Sequence, residues 1–187
     1  MSSHHIVREK QEPALYIHRL GAFDEEYLGQ LLEWSPTLIV DGREYEKVLS
    51  LGLKIDIVAN PDGVTSFQEN TRLIYTEEEN ITGIISFLIS EKYPAVNIIS
   101  DSNIIEELAT FVSDIDIVLF TEYYKSYPIK SGFNVWKPEG SLFRLAEETE
   151  FKGTNLAMNG GGDYEVLRDG FVEFTFSSPY LFISELL

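Results

Sequence analysis

The residues best suited to chemistry fall in one stretch, Asp41 to Val64, which reads DGREYEKVLSLGLKIDIVANPDGV. It sets Asp41 and Gly42 behind one apolar run, Asp56 inside a second, and Asn60-Pro61-Asp62-Gly63 just past it. Loops after buried strands are where many α/β proteins present carboxylates to a magnesium ion and the phosphates it carries. Here the last loop supplies a single carboxylate, Asp62, where such chemistry commonly uses two. The stretch reads either as a working phosphate-transfer site or as what remains of one.

Other chemistry finds little support. His4, His5 and His18 all lie near the N-terminus, and no acidic partner for them is evident downstream. There is no Gly-x-Ser-x-Gly elbow, no phosphate-binding Gly-x-x-x-x-Gly-Lys loop and no Gly-x-Gly-x-x-Gly turn. Asn159-Gly160-Gly161-Gly162 lacks a strand before it and a helix after it, so it reads as a loose turn.

The elements that must position these residues alternate over the first two thirds of the chain. Strands are expected at 14–17, 37–40, 53–59, 72–75, 96–100 and 115–120, with helices over 23–32, 44–51, 81–92 and 103–112 between them. Asp24, Glu25 and Glu26 suit a helix start, and Ser35-Pro36 a stop. Near-continuous apolar strands such as Leu38-Ile39-Val40 imply a sheet buried on both faces, hence mostly parallel. From about Tyr123 the period shortens. Phe133–Trp136 and Ser141–Leu145 read as short strands, FVEFTF alternates after Arg168-Asp169-Gly170 as in a hairpin, and Tyr180–Ile183 is a last strand. The fold class expected is an N-terminal, mostly parallel α/β/α sheet followed by a small antiparallel β-sandwich. Tyr123, Tyr124, Tyr127, Phe133 and Trp136 cluster where the second part begins; they suit either stacking on a flat heterocycle or packing a seam between domains or subunits, and packing is the simpler reading.

This text resembles the thiamin pyrophosphokinases, enzymes that move a pyrophosphoryl group from ATP to thiamin with magnesium. The resemblance lies in PTLIVDGREYEKVLSLGLKIDIVANPDG, in WKPEGSLFRL, which is similar to a Trp-x-x-x-Gly-Ser segment, and in RDGFVEFTFSSPYLFISE, similar to the family's final two strands. It implies a nucleotide-binding-like domain over residues 1–122, a thiamin-binding-like β-sandwich over 123–187, and a homodimer. Asp41 and Gly42 match the family's Asp-Gly, and Asp56 its Pro-Asp aspartate, although Ile55 replaces the proline. Asn60 and Asp62 fall on the two aspartates of Gly-Asp-Phe-Asp-Ser, and Glu77 and Asn80 on those of a later Asp-x-Thr-Asp. The resemblance thus implies a metal site at Asp41 and Asp62, catalytic remnants at Asp41, Asp62 and Glu77, and ligand contacts from Asp41, Gly42, Asn60, Asn80 and Trp136. The family's basic Gly-x-Arg-x-Asp-His segment has no counterpart, because Ser100-Asp101-Ser102-Asn103-Ile104-Ile105 stands there.

Two asparagines for aspartates and a lost basic segment imply a decayed member of that kind, a pseudoenzyme serving as dimeric scaffold or binding protein for thiamin or thiamin diphosphate. No cofactor is then required. The alternatives are an active enzyme whose rearranged site uses ATP and magnesium, and an interaction module without a ligand. The charge bears on this choice. With 31 acidic against 14 basic residues, a net −17 repels nucleic acid and free ATP alike. Cysteine is absent, no apolar run is long enough to cross a membrane, and MSSHHIVREK is no signal peptide, so a cytoplasmic location is expected.

Overall fold

The computed structural model of the chain describes residues 12–76, 81–145 and 150–187. Two compact units divide between Glu122 and Tyr123, each with an apolar core of its own.

The first unit is built on six parallel strands: β1 (Ala14–Ile17), β2 (Leu38–Asp41), β3 (Ile57–Ala59), β4 (Arg72–Ile74), β5 (Ala95–Ile99) and β6 (Asp116–Phe120). Their order is β6-β5-β1-β2-β3-β4. Every residue of β1 and β2 is buried, as a sheet covered on both faces requires. Four helices alternate with the strands: α1 (Glu25–Leu32), α2 (Tyr45–Ser50), α3 (Ile81–Ser90) and α4 (Ile105–Leu108). Ala14, Tyr16, Ile39, Ile57 and Ala59 pack with Ile81, Ile84, Ile85 and Leu88 of α3 and Leu108 of α4. Strand alternation turns Leu15, Ile17, Leu38 and Val40 to the opposite face.

Local chemistry sets the helix ends. The Asp24 carboxylate accepts from the amides of Glu26 and Tyr27 and caps α1, a contact worth about 1 kcal/mol. Gly52, at φ +74°, ends the α2 turn in a conformation side chains resist. Several expected elements come out shorter or altered at their ends. The strand expected from Leu53 begins only at Ile57, because the Gln68 side chain takes the backbone of Leu53 and Ile55 out of the ladder. The helix expected over 103–112 is one α turn extended by a 3-10 turn, Ala109–Phe111. The helix expected from Glu44 is preceded by a 3-10 turn, Gly42–Glu44, that Asp41 caps.

The second unit is the expected β-sandwich. One sheet runs β11 (Leu156–Met158), β12 (Tyr164–Val166), β9 (Leu142–Arg144), β14 (Leu181–Leu186), β7 (Tyr124–Ile129); the other runs β10 (Phe151–Gly153), β13 (Gly170–Phe176), β8 (Phe133–Lys137). All their pairings are antiparallel. Phe143, Val166 and Ile183 of the first sheet share one core with Val172, Phe174 and Phe176 of the second. The hairpin expected at Arg168-Asp169-Gly170 is not formed. That turn carries the chain from β12 in one sheet to β13 in the other, so Val172, Phe174 and Phe176 close the core from the opposite side. Asn159 does make the expected turn, its side-chain oxygen accepting from the amides of Gly161 and Asp163 between β11 and β12.

Candidate functional site

Strands β2, β3 and β4 follow β1 to one side, while β5 and β6 lie on the other. The order therefore reverses between β1 and β5, and open α/β sheets bind ligands at the carboxyl ends of strands flanking such a point. The amides of His18 and Arg19, just past β1, both donate to the Ile99 carbonyl that ends β5, at 2.9 and 3.2 Å. The chain just past β1 is thereby held to the end of β5.

Asp41 lies at the centre of this group, and it is buried. Tyr16 and Ile39 are paired across β1 and β2, so period-two alternation puts Tyr16, His18 and Asp41 on one face. Asp41 Oδ1 accepts from the Arg43 amide at 3.0 Å and Arg43 Nε at 2.8 Å, and lies 3.3 Å from Arg19 Nη1. Oδ2 accepts from Arg43 Nη2 at 2.9 Å and from the Tyr16 hydroxyl at 3.4 Å, with His18 Nδ1 at 3.9 Å. Burial opposes the charge on Asp41, but the bonds from Arg43 and the field of Arg19 outweigh it and hold the carboxyl below its usual range. Burial, then the nearby Arg19 charge, lowers the His18 imidazole. Burial and the Asp41 charge push the Tyr16 hydroxyl up, so it remains a donor.

Gly42 matters for what crosses it. A Cβ there would stand 2.3 Å from the Asn60 carbonyl oxygen and 2.7 Å from Pro61 Cα, so the Asn60-Pro61 backbone lies directly on this glycine. Asn60, at φ +50°, turns its side chain away along the sheet edge. Its Oδ1 accepts from the Thr76 amide at 2.9 Å and its Nδ2 donates to the Thr76 hydroxyl at 3.0 Å, tying the end of β3 to the end of β4. Asp62 is exposed on the loop tip. Asp56 is structural, with Oδ2 accepting from the Leu38 amide at 3.0 Å and Oδ1 paired with Lys54 at 2.9 Å, at the opening of β2 and β3. Glu77 and Asn80 lie outside the described residues.

Magnesium does not fit the described residues around Asp41. A carboxylate offers about four lone-pair positions. Those of Asp41 are taken by four donated bonds, three of them from Arg43, with a second guanidinium alongside. Among the described residues no three His, Cys, Asp or Glu side chains gather closely enough to hold a metal.

Sequence reasoning looked for basic groups only after β5, and missed Arg19 and Arg43. The text Asp41-Gly42-Arg43 held the signal, since a guanidinium two residues after a strand-end carboxylate can fold back on it. The acidic partner not foreseen for His18 is Asp41. At the empty basic segment, Ser100 is buried and accepts from the Ser102 amide at 3.3 Å, while Asp101, Ser102 and Asn103 are exposed.

The aromatic cluster of the β-sandwich divides. Tyr127 and Phe133 meet edge to face and pack against the core of the sandwich itself. Trp136 and Tyr123 are exposed, at 54% and 60%. Trp136 on β8 pairs in register with Phe171 on β13, itself 64% exposed, giving two aromatic rings on the outer face of the three-stranded sheet. Just behind Trp136, Lys137 and the Tyr127 hydroxyl both donate to Glu185, which links the two sheets.

An open parallel α/β sheet joined to an antiparallel β-sandwich defines the class of protein. Solved thiamin pyrophosphokinases share this fold. The enzyme from Bacillus subtilis superposes with a TM-score of 0.67 at 12% identity, over 94% of this chain and 99% of that one. Yeast thiamin pyrophosphokinase gives 0.69 at 9% identity, over 98% and 88%, and that from Candida albicans 0.66 at 8%, over 93% and 90%. No protein-family profile matches the chain, and no curated protein sequence does either. The likeness is one of fold. No helix among the described residues is long and apolar enough to cross a membrane.

Proposed function

We propose that the chain is a thiamin pyrophosphokinase-like binding protein that takes a small flat heterocycle of the thiamin class and does not transfer pyrophosphate to it. The observation that carries this reading is the state of the loop after β3. Asn60 spends both polar atoms of its side chain on Thr76, and Asp62 stands exposed on the loop tip. Transfer of a pyrophosphoryl group depends on positioning and on neutralising phosphate charge. A loop with a single carboxylate, its neighbouring asparagine engaged by Thr76, supports a reading without transfer. The ring-binding half of the reading is supported by Trp136 and Phe171, whose exposed faces offer a stacking surface on a sheet that does not need them for its core. A homodimer in the cytoplasm, with no bound nucleotide, completes the proposal.

Incubating purified chain with ATP, thiamin and magnesium should yield no AMP or thiamin diphosphate above background. Thiamin or thiamin diphosphate should raise the melting temperature by mass action, and Trp136→Ala should remove that rise. An ordinary enzymatic rate of transfer overturns the proposal, as does a melting temperature that neither ligand moves. Sedimentation equilibrium checks the dimer.

A further inference from the structure

We infer that Asp41 is an internal counter-ion that fixes Tyr16, Arg19 and Arg43 at the strand ends, and that it does not ligate a divalent cation. The inference rests on the reading of the site as one without transfer chemistry, and assigns what its surviving carboxylate does instead. The geometry is that of a completed pair. Arg43 approaches through Nε and Nη2 at 2.8 and 2.9 Å, one to each carboxylate oxygen, the side-on fork that guanidinium makes with carboxylate. Its own amide adds a third bond to Oδ1, and the Tyr16 hydroxyl reaches Oδ2 from the neighbouring strand.

Among the described residues, donors already occupy the lone-pair positions of Asp41. Arg19 Nη1 lies 3.3 Å from Oδ1 and also donates to the His18 carbonyl, which holds that guanidinium in place. His18 Nδ1 is 3.9 Å from Oδ2. A magnesium ion would have to displace Arg43 and then sit beside two guanidinium groups. Asp41 is 3% exposed, so removing its charge would leave Arg19, whose side chain is 21% exposed, without its counter-ion.

The test begins on the wild-type chain. The Arg43 Nε–H proton, observed at low pH and temperature, should give a side-chain resonance whose position and intensity are unchanged by millimolar magnesium. A shift or loss of that resonance on adding magnesium overturns the inference. Manganese, followed by its spin resonance signal as a magnesium probe, should bind Asp41→Asn no more weakly than wild type. A several-fold loss of manganese affinity in that variant also overturns it, whereas equal binding in both places the ion elsewhere on an acidic surface and supports it. Asp41→Asn should lower the melting temperature equally with and without metal, and an unchanged melting temperature rejects the counter-ion role. Should that variant not fold, the wild-type resonance still decides. The two proposals fail separately. Magnesium-dependent transfer that survives Asp41→Asn would overturn the proposed function alone, and manganese affinity lost without any transfer activity would overturn this inference alone.

Discussion

Gly42 shows how strictly a single residue can be set by what crosses it. The clash an added methyl would meet is with backbone, the Asn60 carbonyl and Pro61 Cα, which cannot rotate away as a side chain could. Gly42→Ala should therefore lower unfolding free energy by about 1–3 kcal/mol, the usual cost of overpacking. Urea titration measures it, and an unchanged midpoint would mean that the loop is free to lift. The titrating residues give a second expectation. The His18 imidazole is lowered in the folded chain by burial and by Arg19, so the unfolded chain binds the proton more readily. Its contribution to stability is fully present above its ordinary value of 6.5 and is lost as pH falls through the lowered folded value. Asp41, also lowered, loses its contribution only below the ordinary carboxylate value of 3.8, so the two windows are separate. Stability measured from pH 7.5 down to 5 should fall, and His18→Gln should flatten that fall.

At the scale of elements, the segment between β3 and β4 is held by side chains. Gln68 accepts from the amide of buried Ile55 at 2.8 Å and donates to the Leu53 carbonyl at 2.8 Å, while its own amide donates to the Tyr45 hydroxyl at 2.9 Å. One residue thus replaces the ladder bonds that a longer β3 would have made. Gln68→Ala leaves the Ile55 amide without its partner, which should cost about 1–3 kcal/mol. Hydrogen exchange at Ile55 should accelerate while amides of β1 and β5 keep their protection. If exchange accelerates evenly through the sheet, the segment is not an independent lock.

Over the whole molecule, charge dominates. An excess of 17 negative charges repels itself, and salt screens that repulsion within about 10 Å at 0.1 M. Raising ionic strength should raise the melting temperature; relief of about 1 kcal/mol corresponds to roughly 2–4 °C in a chain of this size. A fall instead would mean that ion pairs such as Arg43–Asp41 and Arg144–Asp163 outweigh the net repulsion. Differential scanning fluorimetry across a salt series distinguishes the two.

The sequence by itself determined the layers. Uninterrupted apolar runs separated by helical periods leave little besides a parallel sheet covered on both faces, and strict alternation in FVEFTF leaves little besides a half-buried strand. These are local consequences of periodicity, and β1, β5 and β13 were readable from it, whereas Asp24, placed in the first turn by that reading, is the residue that caps α1. Partners in space were not. That Asp169-Gly170 changes sheets instead of closing a hairpin depends on which core Phe174 and Phe176 fill, a contact between segments far apart in sequence. Asp41 was visible as a strand-end carboxylate, yet its chemistry is decided by Tyr16 and Arg19, more than twenty residues upstream, and by the return of Arg43. Asn60 was legible as a missing charge, but only the fold gave it a partner in Thr76. Spacing along the chain sets which residues share a face; packing and Coulomb attraction between strands set what each of them is bonded to.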